Sequence, residues 1–133
     1  MKIYVFGNED LDFDNNAIKV AERLKDSVEK CEFVFVKTNQ DLPFAGEKDI
    51  VIMDTIYGIK DITLLTDDDI SNISQGKRTT AHDFDLGFQL KYLKKIGKLG
   101  KVTIIGLPME KDMDYLRIQS ILRKLVAQDI QGS

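Results

Sequence analysis

The stretch Asp49-Ile50-Val51-Ile52-Met53-Asp54 places a continuous apolar run between two aspartates. A run of this length that is rich in β-branched residues predicts a strand buried on both faces, as in a parallel sheet. Residues 32–37 form a second run of the same kind, and residues 3–6 and 101–106 form two more. We therefore predict a sheet in which the strand at 49–54 is central and buried.

Segments with helical periodicity separate these strands. Over residues 16–30 the apolar positions recur three or four residues apart, which predicts a helix that Asn15 or Asn16 can cap. Asp83 or Asp85 can cap another predicted helix, which ends at Gly97 or Gly100. The apolar residues of that helix are Leu86, Leu90, Leu93 and Ile96.

The rest of the chain completes this alternation. Residues 114–128 predict a C-terminal helix, residues 62–66 predict an edge strand or a hairpin arm, and residues 67–80 are polar and predict a loop. Strands that alternate with helices indicate the α/β class. We expect one domain over residues 1–133: a three-layer αβα sandwich with a mostly parallel, twisted sheet and helices on both faces.

The composition limits the chemistry. The 133 residues include one His, one Cys and no Trp, with 19 Lys and Arg against 22 Asp and Glu. One Cys excludes an internal disulfide framework, and one His excludes internal zinc sites built from several imidazoles or thiolates. The net charge of −3 argues against a basic nucleic-acid or membrane surface. Without a targeting or membrane-spanning segment, we expect a cytoplasmic protein whose chemistry depends mainly on carboxylates.

Carboxylates are concentrated after the first strand. In an open parallel sheet, functional sites gather at the carboxyl ends of the strands. The loop Gly7-Asn8-Glu9-Asp10-Leu11-Asp12-Phe13-Asp14 begins at such an end and precedes a helix. It is interpreted either as a solvated loop with helix-capping aspartates or as a cation or substrate site.

Asp54 and His82 extend this candidate site. Asp54 directly follows the central strand, where a carboxylate serves either as a cap for a neighbouring loop or as a site residue. A lone His is more often structural, but His82 precedes a helix that can bring it to the same edge. Asp14, Asp54 and His82 together form a plausible, incomplete O/N ligand set for a divalent transition metal.

Other catalytic and cofactor motifs do not occur. The sequence has neither the dinucleotide G-x-G-x-x-G pattern nor the phosphate-binding G-x-x-x-x-G-K-[ST] loop, and it has no G-x-S-x-G nucleophile elbow. Cys31 begins a strand whereas His82 lies near strand ends, so the two are expected at opposite edges of the sheet. We interpret Cys31 as a buried thiol and expect no organic cofactor.

At these residues the sequence resembles the nickel-iron hydrogenase maturation proteases. That family has a Gly-Asn pair after its first strand and an acidic residue six positions after the Asn, and these correspond to Gly7, Asn8 and Asp14. Three later stretches correspond in order and spacing. They are Ile50-Val51-Ile52-Met53-Asp54, Ala81-His82-Asp83-Phe84-Asp85-Leu86-Gly87 and Val102-Thr103-Ile104-Ile105-Gly106-Leu107-Pro108.

The resemblance implies an endopeptidase that removes a C-terminal extension from a hydrogenase large-subunit precursor. By the same resemblance, Asp14, Asp54 and His82 bind nickel that the precursor carries, and Gly7 and Asn8 contact the substrate. No independent nucleophile is evident in the sequence. If nickel serves only as a recognition feature, Asp14 is the candidate catalytic base.

Two other functions stay open. The chain has Val5 where the family usually has Gly, and Phe13 in place of one member of the usual acidic pair. These departures motivate a non-proteolytic accessory or chaperone-like binding module of the same fold. The remaining possibility is a small α/β protein in which His82 is structural.

Overall fold

The computed structural model describes residues 1–6, 16–36, 46–55, 59–66, 100–108 and 113–132. Within these ranges the chain forms five strands and two helices. They are β1 (Lys2–Phe6), α1 (Asn16–Leu24), β2 (Glu32–Val36), β3 (Asp49–Thr55), β4 (Thr63–Leu65), β5 (Lys101–Leu107) and α2 (Tyr115–Gly132).

The five strands form one sheet in the order β2-β1-β3-β5-β4. β1, β2, β3 and β5 are mutually parallel, and β4 pairs antiparallel with β5. The α/β class and the mostly parallel sheet are therefore confirmed, as is the edge strand predicted at 62–66. The parallel strands end together, and we call this side of the sheet the carboxyl edge.

β3 has the central position that its apolar sequence predicts. Because side chains alternate along a strand, its residues contribute to both faces of the sheet. Ile52 packs on one face and Met53 on the other, and neither is exposed to solvent.

Both described helices pack on the same face of the sheet. Their apolar residues and those of the strands beneath them form what we call the helix-side cluster. Its fully buried members are Ile3, Val5, Ala17, Val20, Ala21, Leu24, Val28, Met53, Ile105, Leu107, Ile118 and Leu122. The two helices also contact each other, since the Arg23 guanidinium lies 4.2 Å from the centroid of the Tyr115 ring.

The opposite face carries a second set of buried residues, the far-side cluster. Its members are Tyr4, Phe6, Val36, Ile50, Ile52, Val102 and Ile104. Burial on both faces is what a sheet covered on both sides requires. The predicted helix with Leu86, Leu90, Leu93 and Ile96 lies outside the described residues.

Two predictions about individual elements are wrong. The helix predicted over 16–30 ends at Leu24, and turns follow it up to Lys30, which has a positive φ of 64°. The strand at 32–37 was expected to be buried on both faces, but β2 is an edge strand and Phe35 is 47% exposed. Apolar composition therefore identified the strand correctly without indicating its position in the sheet.

α2 has a polar cap at its beginning. The Asp114 carboxylate accepts a hydrogen bond from the Arg117 N–H at 3.1 Å, three residues into the helix. This bond satisfies one of the N–H groups that a helix start leaves without an intrahelical partner. In the part of the chain that the structure describes, no helix is both long and apolar enough to cross a membrane.

Candidate functional site

Apart from Tyr4, the polar side chains that are buried among the described residues lie at the carboxyl edge. These side chains belong to Asp54, Thr55 and Asn16, which are 1%, 2% and 4% exposed. Asp54 and Thr55 end β3, and Asn16 begins α1. Burying polar groups is costly unless they are hydrogen-bonded, so their concentration at one edge marks it as the chemically distinct part of the domain.

Asp54 lies on the far side of the sheet. Ile50 and Ile52 belong to the far-side cluster, and alternation along β3 places the Asp54 side chain on the same face. Its Oδ1 atom accepts a hydrogen bond from the Thr55 N–H at 2.8 Å. A carboxylate has about four lone-pair sites, and the Thr55 N–H occupies one of those of Asp54.

Gly106 is the neighbour of Asp54 on β5. The two residues are paired in the parallel register, and both belong to the face of the far-side cluster. Because glycine has no side chain, β5 places none beside the Asp54 carboxylate on that face.

Thr55 joins β3 to the beginning of α1. Its side chain points to the face that the helices cover, and its Oγ1 atom accepts a hydrogen bond from the Ala17 N–H at 3.4 Å. The Ala17 N–H is one of the first in the helix and has no partner within it. A side chain from the central strand thus caps α1.

Asn16 joins the beginning of α1 to the segment that follows β5. Its side-chain nitrogen donates a hydrogen bond to the Pro108 carbonyl oxygen at 2.7 Å and a longer one to the Met113 sulfur at 3.8 Å. Pro108 follows the last residue of β5, and Met113 precedes α2. Asn16 was predicted as a possible helix cap, but these bonds connect residues more than 90 positions apart.

Cys31 and Tyr4 have altered pKa values and lie away from this edge. Burial raises the pKa of the Cys31 thiol, and this half-buried residue precedes β2 at the opposite end of the strand. Its position fits the predicted separation from the strand ends. Tyr4, in the middle of β1, donates a hydrogen bond from its hydroxyl to Glu47 Oε1 at 2.5 Å. Neither group contributes to the carboxyl edge.

Of the predicted site residues, Asp54 is the one that the structure describes. Gly7, Asn8, Asp14 and His82 lie outside the described residues. Within the described ranges, no three His, Cys, Asp or Glu side chains are grouped closely enough to hold a metal ion. The convergence of Asp14, Asp54 and His82 therefore stays a prediction.

Asn16 and Thr55 are the residues of this edge that the sequence analysis missed. Thr55 could have been predicted as a residue of this edge, because it directly follows Asp54 at the same strand end. The bond from Asn16 to Pro108 has no local sequence signal, since its partner is 92 residues away.

The fold and this edge define an α/β protein with a buried acid at the end of its central strand. A family model described as hydrogenase maturation protease matches residues 18–132. The chain therefore belongs to the hydrogenase maturation protease family, as the sequence resemblance indicated. No curated protein sequence matches it.

Solved structures show the same fold at low sequence identity. The hydrogenase maturating endopeptidase HybD from Escherichia coli superposes with a TM-score of 0.67 at 17% identity, over 99% of this chain and 93% of that one. The [NiFe] hydrogenase maturation protease HybD from Thermococcus kodakarensis gives a TM-score of 0.59 at 18% identity, over 98% and 99% of the two chains. An endopeptidase from E. coli gives 0.64 at 18% identity, over 95% and 90%.

Proposed function

We propose that this protein is a nickel-dependent processing endopeptidase that removes a C-terminal extension from a nickel-iron hydrogenase large-subunit precursor. The observation that carries the proposal is Asp54, a carboxylate 1% exposed at the carboxyl end of the central strand. It belongs to a chain of the hydrogenase maturation protease family. The protein acts in the cytoplasm, and the nickel arrives with the precursor.

Asp54 has the chemistry of a metal ligand. Carboxylate oxygen and imidazole nitrogen both suit first-row divalent metals. Asp54 with Asp14 and His82 supplies three protein ligands, and the precursor supplies the rest of the coordination sphere. Nickel then acts as a recognition feature, because only a metal-loaded precursor completes the site.

The positions of the other ligands in the chain are compatible with this role. Asp14 is two residues before Asn16, which is fixed at the carboxyl edge by its bond to Pro108. His82 precedes a predicted helix that can bring it to the same edge. Gly7 and Asn8 directly follow β1 and are the proposed substrate contacts.

Val5 is compatible with this function although the family usually has Gly at this position. The side chain of Val5 is 1% exposed and packs in the helix-side cluster, within β1 and before the loop begins. The substitution therefore fills the core and leaves the Gly7-Asn8 pair unchanged. It does not by itself favour the accessory-module alternative.

The reaction requires a water molecule to attack the scissile carbonyl of the precursor. Asp14 is the proposed base for that water if nickel is only recognised. If nickel instead polarises the carbonyl or activates the water, the chain contributes the ligands that orient the metal. The two routes share Asp54 as a ligand and differ in the role of Asp14.

Co-expression with the large-subunit precursor tests the proposal. The intact mass of the precursor is measured with and without nickel, beside the wild type and the variants Asp54→Asn and His82→Ala. We expect a fixed C-terminal mass loss that requires nickel and disappears in both variants. Asp49→Asn is the matched control, because Asp49 is an exposed aspartate at the other end of the same strand.

Three results would contradict the proposal. A stable complex with the precursor and no mass loss would identify the accessory-module alternative. Equal processing by wild type and Asp54→Asn would remove Asp54 from the site. If neither a complex nor a mass loss occurs with any large subunit, the chain is an α/β protein with a structural His82.

A further inference from the structure

We propose that Asn16 is a positioning residue for the carboxyl edge, a role that rests on the proposed function. Its amide holds the start of α1 at a fixed place relative to Asp54. Asn16 does not touch the substrate in this proposal. It acts through the backbone at the start of α1.

Asn16 is unusual because it is a buried, uncharged polar residue in the first turn of a helix. It is 4% exposed, and its amide nitrogen donates to Pro108 O at 2.7 Å and approaches Met113 Sδ at 3.8 Å. An asparagine NH₂ group has two donor hydrogens, and the Pro108 oxygen and the Met113 sulfur both lie within reach of it. Both acceptors belong to the segment between β5 and α2.

The beginning of α1 is held from two strands at once. Thr55 at the end of β3 accepts the Ala17 N–H, and Pro108 after β5 accepts the Asn16 amide. Asp54 adjoins Thr55 in the chain and pairs with Gly106, two residues before Pro108. The entry to α1 and the Asp54 carboxylate are thus fixed to the same pair of strand ends.

Few other side chains satisfy these contacts. Aspartate has a similar shape, but its ionised carboxylate cannot donate to the Pro108 carbonyl. Leucine fills a similar volume and has no donor. Loss of the donor leaves a buried carbonyl oxygen without this partner and frees the start of α1 to move relative to β5.

The test separates positioning from general stability by measuring nickel discrimination. The probe is the large-subunit precursor in nickel-loaded and nickel-free forms. The readout is the dissociation constant for the nickel-free form divided by that for the nickel-loaded form. We expect Asn16→Leu to reduce this ratio by about tenfold, the size of effect seen when an outer partner of a metal ligand is lost. Affinity for the nickel-free precursor should stay unchanged.

Val28→Ala is the matched control. Val28 is 3% exposed in the helix-side cluster, in the turns after α1 and away from the carboxyl edge. The variant should lower the stability of the fold and keep the nickel ratio of the wild type. An equal fall in both variants, or an unchanged ratio in Asn16→Leu, would overturn the positioning role.

Amide hydrogen exchange on the isolated protein gives a readout that needs no substrate. Exchange at the Ala17 N–H, relative to the Ile52 N–H in β3, should be faster in Asn16→Leu and unchanged in Val28→Ala. Unchanged exchange in Asn16→Leu would overturn the inference. If the wild type fails to distinguish the two precursors while Ala17 exchange rises as expected, the proposed function fails and the positioning of α1 by Asn16 stands.

Discussion

The Asp54 side chain combines two features that substitutions can separate, a carboxyl group and a hydrogen bond from the Thr55 N–H. Isolated charges are costly to bury, whereas a hydrogen-bonded polar group of the same shape is tolerated. At 1% exposure, the Asp54 carboxyl group therefore depends on hydrogen-bond partners such as the Thr55 N–H.

Asp54→Asn should separate stability from activity. The amide oxygen can still accept the Thr55 N–H, so we expect the free energy of unfolding to change by no more than about 1 kcal/mol. Asp54→Ala leaves that N–H without this partner and should cost about 2 kcal/mol. Urea denaturation measures both values, and precursor processing should be lost in both variants. A large loss of stability in Asp54→Asn would show that the carboxyl group itself holds the fold.

Tyr4 gives the domain a dependence on alkaline pH. Burial, followed by the hydrogen bond and charge of Glu47 and then the charge of Glu32, raises the pKa of Tyr4 from 10.0 to about 12. The folded state thus retains a proton that the unfolded chain loses first. The stabilisation is complete below about pH 10 and is lost as the pH rises towards about 12.

Tyr4→Phe should remove this part of the pH dependence. We expect a loss of about 1 kcal/mol at neutral pH from the missing hydrogen bond, and a smaller further loss at alkaline pH than in the wild type. Urea denaturation across the alkaline range, with tyrosinate absorbance as a second probe, measures both effects. In Glu47→Gln the pKa of Tyr4 should stay raised, because burial is the largest cause. A return to the ordinary pKa in that variant would contradict this order.

At the residue scale, the sequence predicted one member of the described edge and missed two. Asp54 was predictable because an acid directly after an apolar run lies where a parallel strand ends. Thr55 and Asn16 act through contacts between β3, β5 and α1. Such contacts depend on the order of strands in the sheet, which local spacing does not contain.

At the scale of elements, strand positions were predicted more accurately than helix ends. The predicted strand at 49–54 became β3 (Asp49–Thr55), and that at 101–106 became β5 (Lys101–Leu107). The first helix ends at Leu24, earlier than predicted. Val28 continues the apolar spacing because it is buried in the helix-side cluster from the turn that follows the helix. Periodicity reports which residues face the core and does not distinguish a helix from the turn that follows it.

Gly100 fixes the approach of β5 to β3 at the amino ends of both strands. The Lys101 N–H donates a hydrogen bond to the Lys48 carbonyl at 2.7 Å. A Cβ atom at Gly100 would overlap the carbonyl oxygens of Lys48 and Glu47, which belong to the backbone and cannot rotate away. We expect Gly100→Ala to lower the free energy of unfolding by about 3 kcal/mol, measured by urea denaturation.

Gly46→Ala is the control for this effect. Gly46 has a φ of 91°, but no atom lies within 4 Å of the Cβ it would gain. Its substitution should therefore cost only the conformational strain, about 1 kcal/mol. Equal losses in the two variants would mean that backbone conformation, rather than the overlap with Lys48, accounts for the glycine at position 100.

At the scale of the whole molecule, the class of fold was predictable and the layout of its sheet was not. Alternation of strand and helix patterns implies crossover connections and a parallel sheet. The same pattern does not assign the edges, so β2 was expected to be buried although it lies at one edge. The exposure of the Phe35 side chain shows that β2 is not covered on both faces as predicted.

The helix-side cluster joins three strands to both helices, which predicts that the described elements unfold together. Leu122 and Leu116 on α2 test this with one residue type in one helix. Leu122 is fully buried in the cluster, whereas Leu116 is 80% exposed. We expect Leu122→Ala to cost about 3 kcal/mol and Leu116→Ala to change the free energy of unfolding by less than about 0.5 kcal/mol.

The measurement is urea denaturation followed by helical circular dichroism and by tyrosine fluorescence. Leu122 lies in the cluster that joins α2 to the strands. Its truncation should therefore shift the transitions seen by both probes to lower urea concentration and keep them coincident. A shift of the circular dichroism transition alone would show that α2 unfolds independently of the sheet. A comparable loss in Leu116→Ala would instead attribute the effect to the change of side chain in α2 and not to the buried contact.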